Sequence, residues 1–353
     1  MTAAARNALI TGVTGQDGAL LAARLVRAGM PVVGTHRPGV APDLWRLREL
    51  GVADDPSLTL LPLDPLDADA CQALIAERAP ESLFHLAGQS SVAESFRDPV
   101  GSVRANGLGT LNLLEAVRQR APHAHFVLAS SAEIFGAPLT APQNEATPLA
   151  ATTPYGLSKL LAHEAVAAWR ASFGVRASNA ILFNHESEWR DTAFVTRKLS
   201  RGAARIALGR EESIALGNLE ARRDFGYAPD YVATMAAMAA RERGDDYVLA
   251  TGHALSIRDF ACAAFAAAGI TLDWFGDGFE EVGVERGSDR VCVRIDPALF
   301  RPSDAPLLVG DASKARSELG FAPSLDVAAI AQRMVDADLR RERAAMTSAG
   351  GSR

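Results

Sequence analysis

The residue types best suited to chemistry are Tyr155 and Lys159, in Tyr155-Gly156-Leu157-Ser158-Lys159. Positions i and i+4 share one face of a helix. A lysine there can lower the phenol pKa by its charge, and its ammonium can also hold a ribose hydroxyl. A tyrosinate held this way is a base for a substrate alcohol. A second cluster, Ser130-Ser131-Ala132-Glu133, closes a predicted strand. Ser131 can hydrogen-bond the reacting alcohol. Glu133 adds a carboxyl group that a simple alcohol oxidation does not need, and so points to a second proton transfer. The bland alternatives are an exposed Tyr–Lys pair and a strand-end Glu in a local ion pair.

A third cluster is Thr11-Gly12-Val13-Thr14-Gly15-Gln16-Asp17-Gly18. Glycines at 12, 15 and 18 follow a short apolar strand and open a helix. Glycine lets the chain turn sharply and lets backbone approach a diphosphate, which the helix N-terminus then faces. In this strand–turn–helix setting the trio predicts dinucleotide binding. An acid at the end of the second strand would hold a ribose 2′-hydroxyl and select NAD. The chain instead has Gly34-Thr35-His36-Arg37. Arg37 can meet a 2′-phosphate, so NADP is expected, with a plain surface arginine as the rival reading. Asp64, at the end of the third strand, either frames the adenine or caps its loop.

These residues need a scaffold that brings strand ends together. Short apolar strands near 8–11, 31–35, 58–63, 83–87, 126–130 and 178–183 alternate with helices, among them 17–28, 100–118 and 154–173. This alternation predicts an α/β fold, a Rossmann-type doubly wound parallel sheet with ligands at the carboxyl ends of its strands. The second half is less regular and reads as a smaller C-terminal substrate-binding lobe. We expect a dinucleotide-binding domain over 1–183, with a return of about 226–252. The lobe takes 184–225 and 253–340, and 344–353 reads as a loose tail. Residues 275–284, rich in Gly and acids, read as loop. Arg340-Arg341-Glu342-Arg343 reads as a solvated helix face.

Bulk composition narrows the function classes. A net charge of −6 argues against a nucleic-acid partner, whose phosphates demand a basic excess. Three distant cysteines, Cys71, Cys262 and Cys292, form no CxxC, so neither a disulfide framework nor a metal site is expected. No apolar stretch reaches the ~20 residues of a membrane span, and no signal peptide is apparent. A cytoplasmic protein is the expectation.

With these clusters in view, the sequence resembles the extended short-chain dehydrogenase/reductase superfamily, and within it the GDP-mannose 4,6-dehydratase family. The resemblance rests on the Gln16-Asp17-Gly18 ending of the turn, Leu86-Ala87-Gly88-Gln89-Ser90, Asn184-His185-Glu186-Ser187, and Phe194-Val195-Thr196-Arg197-Lys198. Leu216-Gly217-Asn218-Leu219, Arg223-Asp224-Phe225-Gly226 and Phe300-Arg301-Pro302 extend it, so that it covers roughly residues 8–325.

The resemblance implies a reaction. Tyr155 takes the proton of the sugar's C4 hydroxyl as hydride leaves C4; Glu133 takes the C5 proton as the C6 hydroxyl departs as water; hydride returns to C6. It implies Ser131, Glu133, Tyr155 and Lys159 as catalytic residues. It places Gly12, Thr14, Gly15, Gln16, Asp17, Gly18, Arg37, Asp64, Leu86, Ala87, Gln89 and His185 at the cofactor, together with Tyr155 and Lys159. Ser90, Asn184, Glu186, Lys198, Gly217, Arg223 and Arg301 fall to the substrate, GDP-mannose or a related nucleotide sugar. The chain departs from the family pattern at Ala132, Thr152-Thr153, Pro38 and Ser91. Rival readings are a dehydratase of another GDP-sugar such as a heptose, an epimerase or 4-keto reductase on the same scaffold, and a non-catalytic NADP-binding protein. The two long helices offer a homodimer, with a tetramer also open.

Overall fold

The computed structural model describes residues 7–300 and 307–350. It resolves two compact units. The first holds the described residues up to Phe183, then Ala228–Gly252 and Gly310–Ala322. Its frame is a parallel sheet of seven strands. From one edge to the other these are Asp246–Leu249, Ala177–Leu182, His125–Ala129, Ser82–His85, Ala8–Thr11, Val32–His36 and Leu58–Pro62. The chain starts in the interior at Ala8–Thr11, winds out to Leu58–Pro62, and returns to the other side through Ser82–His85. That reversal opens a crevice at the carboxyl ends of the strands. The predicted doubly wound fold is therefore observed.

The helices are where apolar periodicity places them. Gln16–Arg27 buries Ala19, Leu20, Leu21, Leu25 and Val26. Pro154–Phe173 starts at Thr153, whose hydroxyl accepts the Gly156 amide, with Pro154 in the first turn. The long helix expected near 100–118 is three continuous pieces: Pro99–Val103, a π-helical turn Arg104–Leu108, and Gly109–Arg120. Leu9, Leu83, Leu113, Val117, Phe126 and Val166 form the core of one face. The segment Gly310–Ala322, which the sequence boundaries put in the lobe, joins the first unit. Lys314 pairs with Asp245 at 2.7 Å, and the Tyr247 hydroxyl donates to Glu318 at 2.9 Å.

The second unit comprises Asn184–Tyr227, His253–Val309 and the described residues from Pro323 onward. One small sheet orders Leu272–Phe275, Val282–Glu285, Val291–Ile295 and Ile214–Leu216. Residues 275–284 are thus not simply a loop: Leu272–Phe275 and Val282–Glu285 are antiparallel partners in register 272↔285. Another sheet places Arg222–Tyr227 beside Ala254–Ser256, Leu307–Leu308 and Asn184–Glu186. The helices Val195–Ala207, Ile257–Ala267 and Val327–Gly350 pack through Leu199, Ile206, Phe260, Phe265, Ile330 and Met334.

The expected loose tail over 344–353 is corrected for 344–350, while 351–353 lie outside the described residues. The last helix continues to Gly350, because Ala344, Ala345 and Met346 favour helix and the Thr347 hydroxyl bonds back to the Ala344 carbonyl at 2.8 Å. The solvated reading of Arg340–Arg343 holds for the exposed Arg340 and Arg343 and is corrected at Glu342. Glu342 is buried, and Arg201, Arg205 and Arg210 converge on its carboxylate.

Candidate active site

The glycine turn is built to face an anion. Gly12 has φ +73°, and a Cβ there would lie 2.8 Å from the Ala87 amide. At Gly18 it would lie 2.2 Å from the Gly12 carbonyl oxygen. Side chains at either position would close the cradle at the N-terminus of Gln16–Arg27. The turn is pinned from below: Gly12 and Val13 donate to the Thr35 carbonyl at 3.1 and 3.2 Å. Thr11 Oγ1 accepts the Leu86 and Ala87 amides at 3.2 and 3.1 Å, and contacts His85 Nδ1 at 2.8 Å. Its single proton therefore goes to Nδ1, which makes His85 an Nε2–H imidazole. Burial, with Lys159 nearby, holds the His85 pKa down at about 3, so this neutral form persists at every working pH. Gln89 Oε1 is buried with no hydrogen-bond partner among the described residues. An open cradle at a helix N-terminus and an orphaned acceptor on the neighbouring loop fit a dinucleotide.

The catalytic candidates meet at the end of His125–Ala129. Lys159 Nζ donates to the Ala129 carbonyl at 2.9 Å. Desolvation lowers its pKa to about 8, against an opposing pull from Asp17. Lys159 is thus still largely charged at neutral pH and sits one turn from Tyr155. Ser131 caps the short turn Ala132–Phe135, its Oγ accepting the Glu133 amide at 3.2 Å. Gly156 completes the junction: a Cβ there would lie 2.6 Å from the Glu133 carbonyl. Only a residue without a side chain lets the turn carrying Glu133 seat on the first turn of the Tyr155 helix. Tyr155 is buried and Glu133 is half-buried. The Tyr155 amide donates to Ser95 Oγ at 3.1 Å, which fixes the start of that helix.

Two residues that sequence reasoning left without a role join these parts. Asn106, buried in the π-helical turn, accepts the Gln89 amide and donates to the Gln89 carbonyl, both at 2.9 Å. It also donates to Ser158 Oγ at 2.8 Å, and Ser158 donates to the Tyr155 carbonyl at 2.7 Å. One side chain therefore ties the Ala87–Gln89 loop to the catalytic helix. The signal for it was a polar Asn inside an otherwise apolar helix pattern.

The remaining cofactor candidates lie apart from this junction. Arg37 is exposed, just after Val32–His36, with no ion-pair partner among the described residues. Asp64 is exposed, and its carboxylate accepts the Leu66 amide at 3.0 Å, the loop-capping contact. Thr14 accepts Arg46 Nη1 on its carbonyl at 3.1 Å, while Gln16 donates to Asp17 at 3.0 Å. Ser90 is exposed on the loop after Gln89.

Within the second unit, Asn184 and His185 lie on a strand paired in parallel with Arg222–Tyr227, Asn184 opposite Phe225. Arg223 is on that neighbouring strand and is buried. Glu186 is also buried, and its Oε2 accepts the Thr196 hydroxyl at 2.6 Å and pairs with Arg190 at 3.1 Å. Here it anchors the helix Val195–Ala207 to the strand. Lys198, in the first turn of that helix, is half-buried with no acidic partner among the described residues. A Cβ on Gly217 would lie 2.6 Å from the Leu299 carbonyl. Arg301 lies outside the described residues.

The family model for GDP-mannose 4,6 dehydratase matches residues 9–334. The chain belongs to this family. A GDP-mannose 4,6-dehydratase of Sinorhizobium fredii is 41% identical over 337 residues, 94% of this chain and 96% of the relative. The GDP-mannose 4,6 dehydratase family shares its fold with more distant proteins. DesIV of Streptomyces venezuelae, a dTDP-glucose 4,6-dehydratase solved with NAD bound, superposes with TM-score 0.80 at 21% identity over 96% of this chain and 98% of its own. RMD of Pseudomonas aeruginosa, solved with NADPH, gives 0.74 at 24% identity over 95% and 99%. Among the described residues no helix is long and apolar enough to cross a membrane.

Proposed function

We propose that this chain is an NADP-dependent GDP-mannose 4,6-dehydratase that converts GDP-mannose to GDP-4-keto-6-deoxymannose and water. The observation that carries the reading is a carboxylate residue, Glu133, seated through Gly156 against the first turn of the Tyr155–Lys159 helix. That helix faces the loop of a dinucleotide cradle through Asn106 and Ser158. An epimerase or a simple reductase has no use for a second base there. Membership of the dehydratase family points the same way.

When bound, the nicotinamide supplies the acceptor and later the donor for the hydride that moves from C4 to C6. Tyr155 accepts the O4 proton, and the Lys159 charge stabilises the resulting phenolate. Ser131 donates to O4 as it becomes a carbonyl. The ketone acidifies C5–H, which Glu133 removes. Its proton then goes to the C6 oxygen, which leaves as water, and a proton later returns to C5. For the cofactor, Arg37 and the absence of an acid at the end of Val32–His36 support NADP. In the substrate, the diphosphate and base fall to Asn184, Lys198, Arg223 and Arg301. Leu108, Leu157 and Leu161 are exposed on the two long helices and support a homodimer through those faces. We place the protein in the cytoplasm, where its free cysteines stay reduced.

Glu133→Gln tests the reading. The variant should bind NADP like the parent yet lose dehydration of GDP-mannose by about a hundredfold or more. Full-rate water loss by this variant would remove Glu133 from the reaction.

A further inference from the structure

The last helix, Val327–Gly350, has no part in the reaction scheme, yet its buried charges point at the helix bearing Lys198. Asp338 is fully buried. Its Oδ1 pairs with Arg197 at 2.7 Å, and its Oδ2 accepts the Ser200 hydroxyl at 2.7 Å. Arg197 in turn donates to the Glu188 carbonyl at 2.5 Å, and Arg341 donates to the same carbonyl at 2.8 Å. The Glu188 carboxylate accepts the Tyr227 hydroxyl at 3.2 Å and meets Arg333 at 3.4 Å. One turn further along, Glu342 gathers Arg201, Arg205 and Arg210. Asp338, Arg341, Arg333 and Glu342 thus tie the last helix to the Val195–Ala207 helix, to Arg210 just beyond it and to Glu188 after the strand, and Arg197 ties that helix to Glu188 in turn.

We infer that Asp338 is a positioning residue for nucleotide-sugar binding, acting through Arg197 and Ser200 to set the rotation of the helix that presents Lys198. The inference rests on Lys198 as a ligand of the nucleotide diphosphate.

Geometry supports it. Arg197 and Ser200 are three apart and share one helix face, so Asp338 grips that face at two points. Lys198 follows Arg197 by one residue, about 100° around the axis. At roughly 6 Å from the axis, a helix rotation of ~20° would carry its side chain about 2 Å, beyond the tolerance of a charge-assisted hydrogen bond. Helix packing through Leu199 and Ile206 resists such rotation only loosely, because apolar contact is not directional. A buried ion pair adds little net stability over an apolar contact of the same volume. What it adds here is one allowed orientation.

The test measures GDP binding to the NADP-loaded enzyme by titration calorimetry, and the kinetics with GDP-mannose, in Asp338→Asn, Lys198→Met and the double variant. Asp338→Asn should weaken GDP binding and raise KM about tenfold, with kcat within about twofold and NADPH affinity unchanged. Lys198→Met should weaken GDP binding by at least as much, and the double variant no further, since both changes act through one ammonium. Ser200→Ala removes a single hydroxyl and should give about a threefold effect of the same kind; it decides the matter if Asp338→Asn does not fold. Unchanged GDP affinity in the folded Asp338 or Ser200 variant, additive effects in the double variant, or a parallel fall in kcat would overturn the inference. A parent enzyme that binds neither GDP nor GDP-mannose would instead overturn the substrate reading beneath it.

Discussion

Replacing Asn106 by Ala removes one buried amide and three hydrogen bonds. Two go to the Gln89 backbone at 2.9 Å and one to Ser158 at 2.8 Å. At about 1 kcal/mol net per bond, the loss is about 3 kcal/mol. Part of it falls on the Gln89 amide, which has no other partner among the described residues and is left facing the vacated space. The π-helical turn itself should survive, because the Thr110 hydroxyl donates to the Asn106 carbonyl at 2.6 Å irrespective of the side chain. Two readouts separate the consequences. Urea unfolding of the cofactor-free protein should show a loss of about 2–4 kcal/mol. NADPH titration by fluorescence should show affinity weakened about tenfold or more, because the Ala87–Gln89 loop must now be ordered on binding. The catalytic helix loses its tie through Ser158, so kcat should fall as well. A folded Asn106→Ala protein with NADPH affinity and kcat within twofold of the parent would refute the claim that this side chain couples loop to helix.

Gly18→Ala puts a Cβ 2.2 Å from the Gly12 carbonyl; dinucleotide affinity should fall by at least about tenfold in the same titration, whereas a normal affinity would mean that the turn adapts. Lys159 has its pKa lowered to about 8 by desolvation, so the unfolded chain binds the extra proton between there and its ordinary value of 10.5. Stability of the cofactor-free protein should therefore rise across that interval, by up to ~3 kcal/mol. Lys159→Met should flatten that rise in urea unfolding against pH while abolishing turnover; parallel curves for the two proteins would contradict the assignment. Burial pushes the Asp246 carboxyl up, but the two-point pair with Arg170 at 2.9 and 3.0 Å overcomes this and holds it low. Its stabilisation is present above the unfolded carboxylate pKa and is lost as pH falls through the lower folded value. Asp246→Asn should lower stability by about 1–3 kcal/mol at pH 7, with a smaller difference in strong acid.

The sheet was legible because short apolar strands and amphipathic helices alternate, and because glycine, Thr153 and Pro154 mark where helices begin. The glycine cradle and the Tyr155–Lys159 pair could be read from spacing alone. What escaped reading was decided by distant contacts. Residues 275–284 look like loop by their Gly and acid content, yet Leu272–Phe275 pairs with Val282–Glu285, and Arg286 pairs with Asp273 across the hairpin. Glu342 looks solvated between arginines of its own helix, and only the approach of Arg201, Arg205 and Arg210 buries it. Asn106 carries no local signature beyond being polar in an apolar helix; its importance lies in a partner 17 residues away and another 52 away.

The most direct test of internal-hydride dehydration is mass spectrometry of GDP-mannose carrying deuterium at C4, incubated with the NADP-loaded enzyme. The account predicts a product lighter by one water that keeps its deuterium, now at C6, with no accumulation of NADPH. A product of unchanged mass, or one that has lost the label, would contradict it.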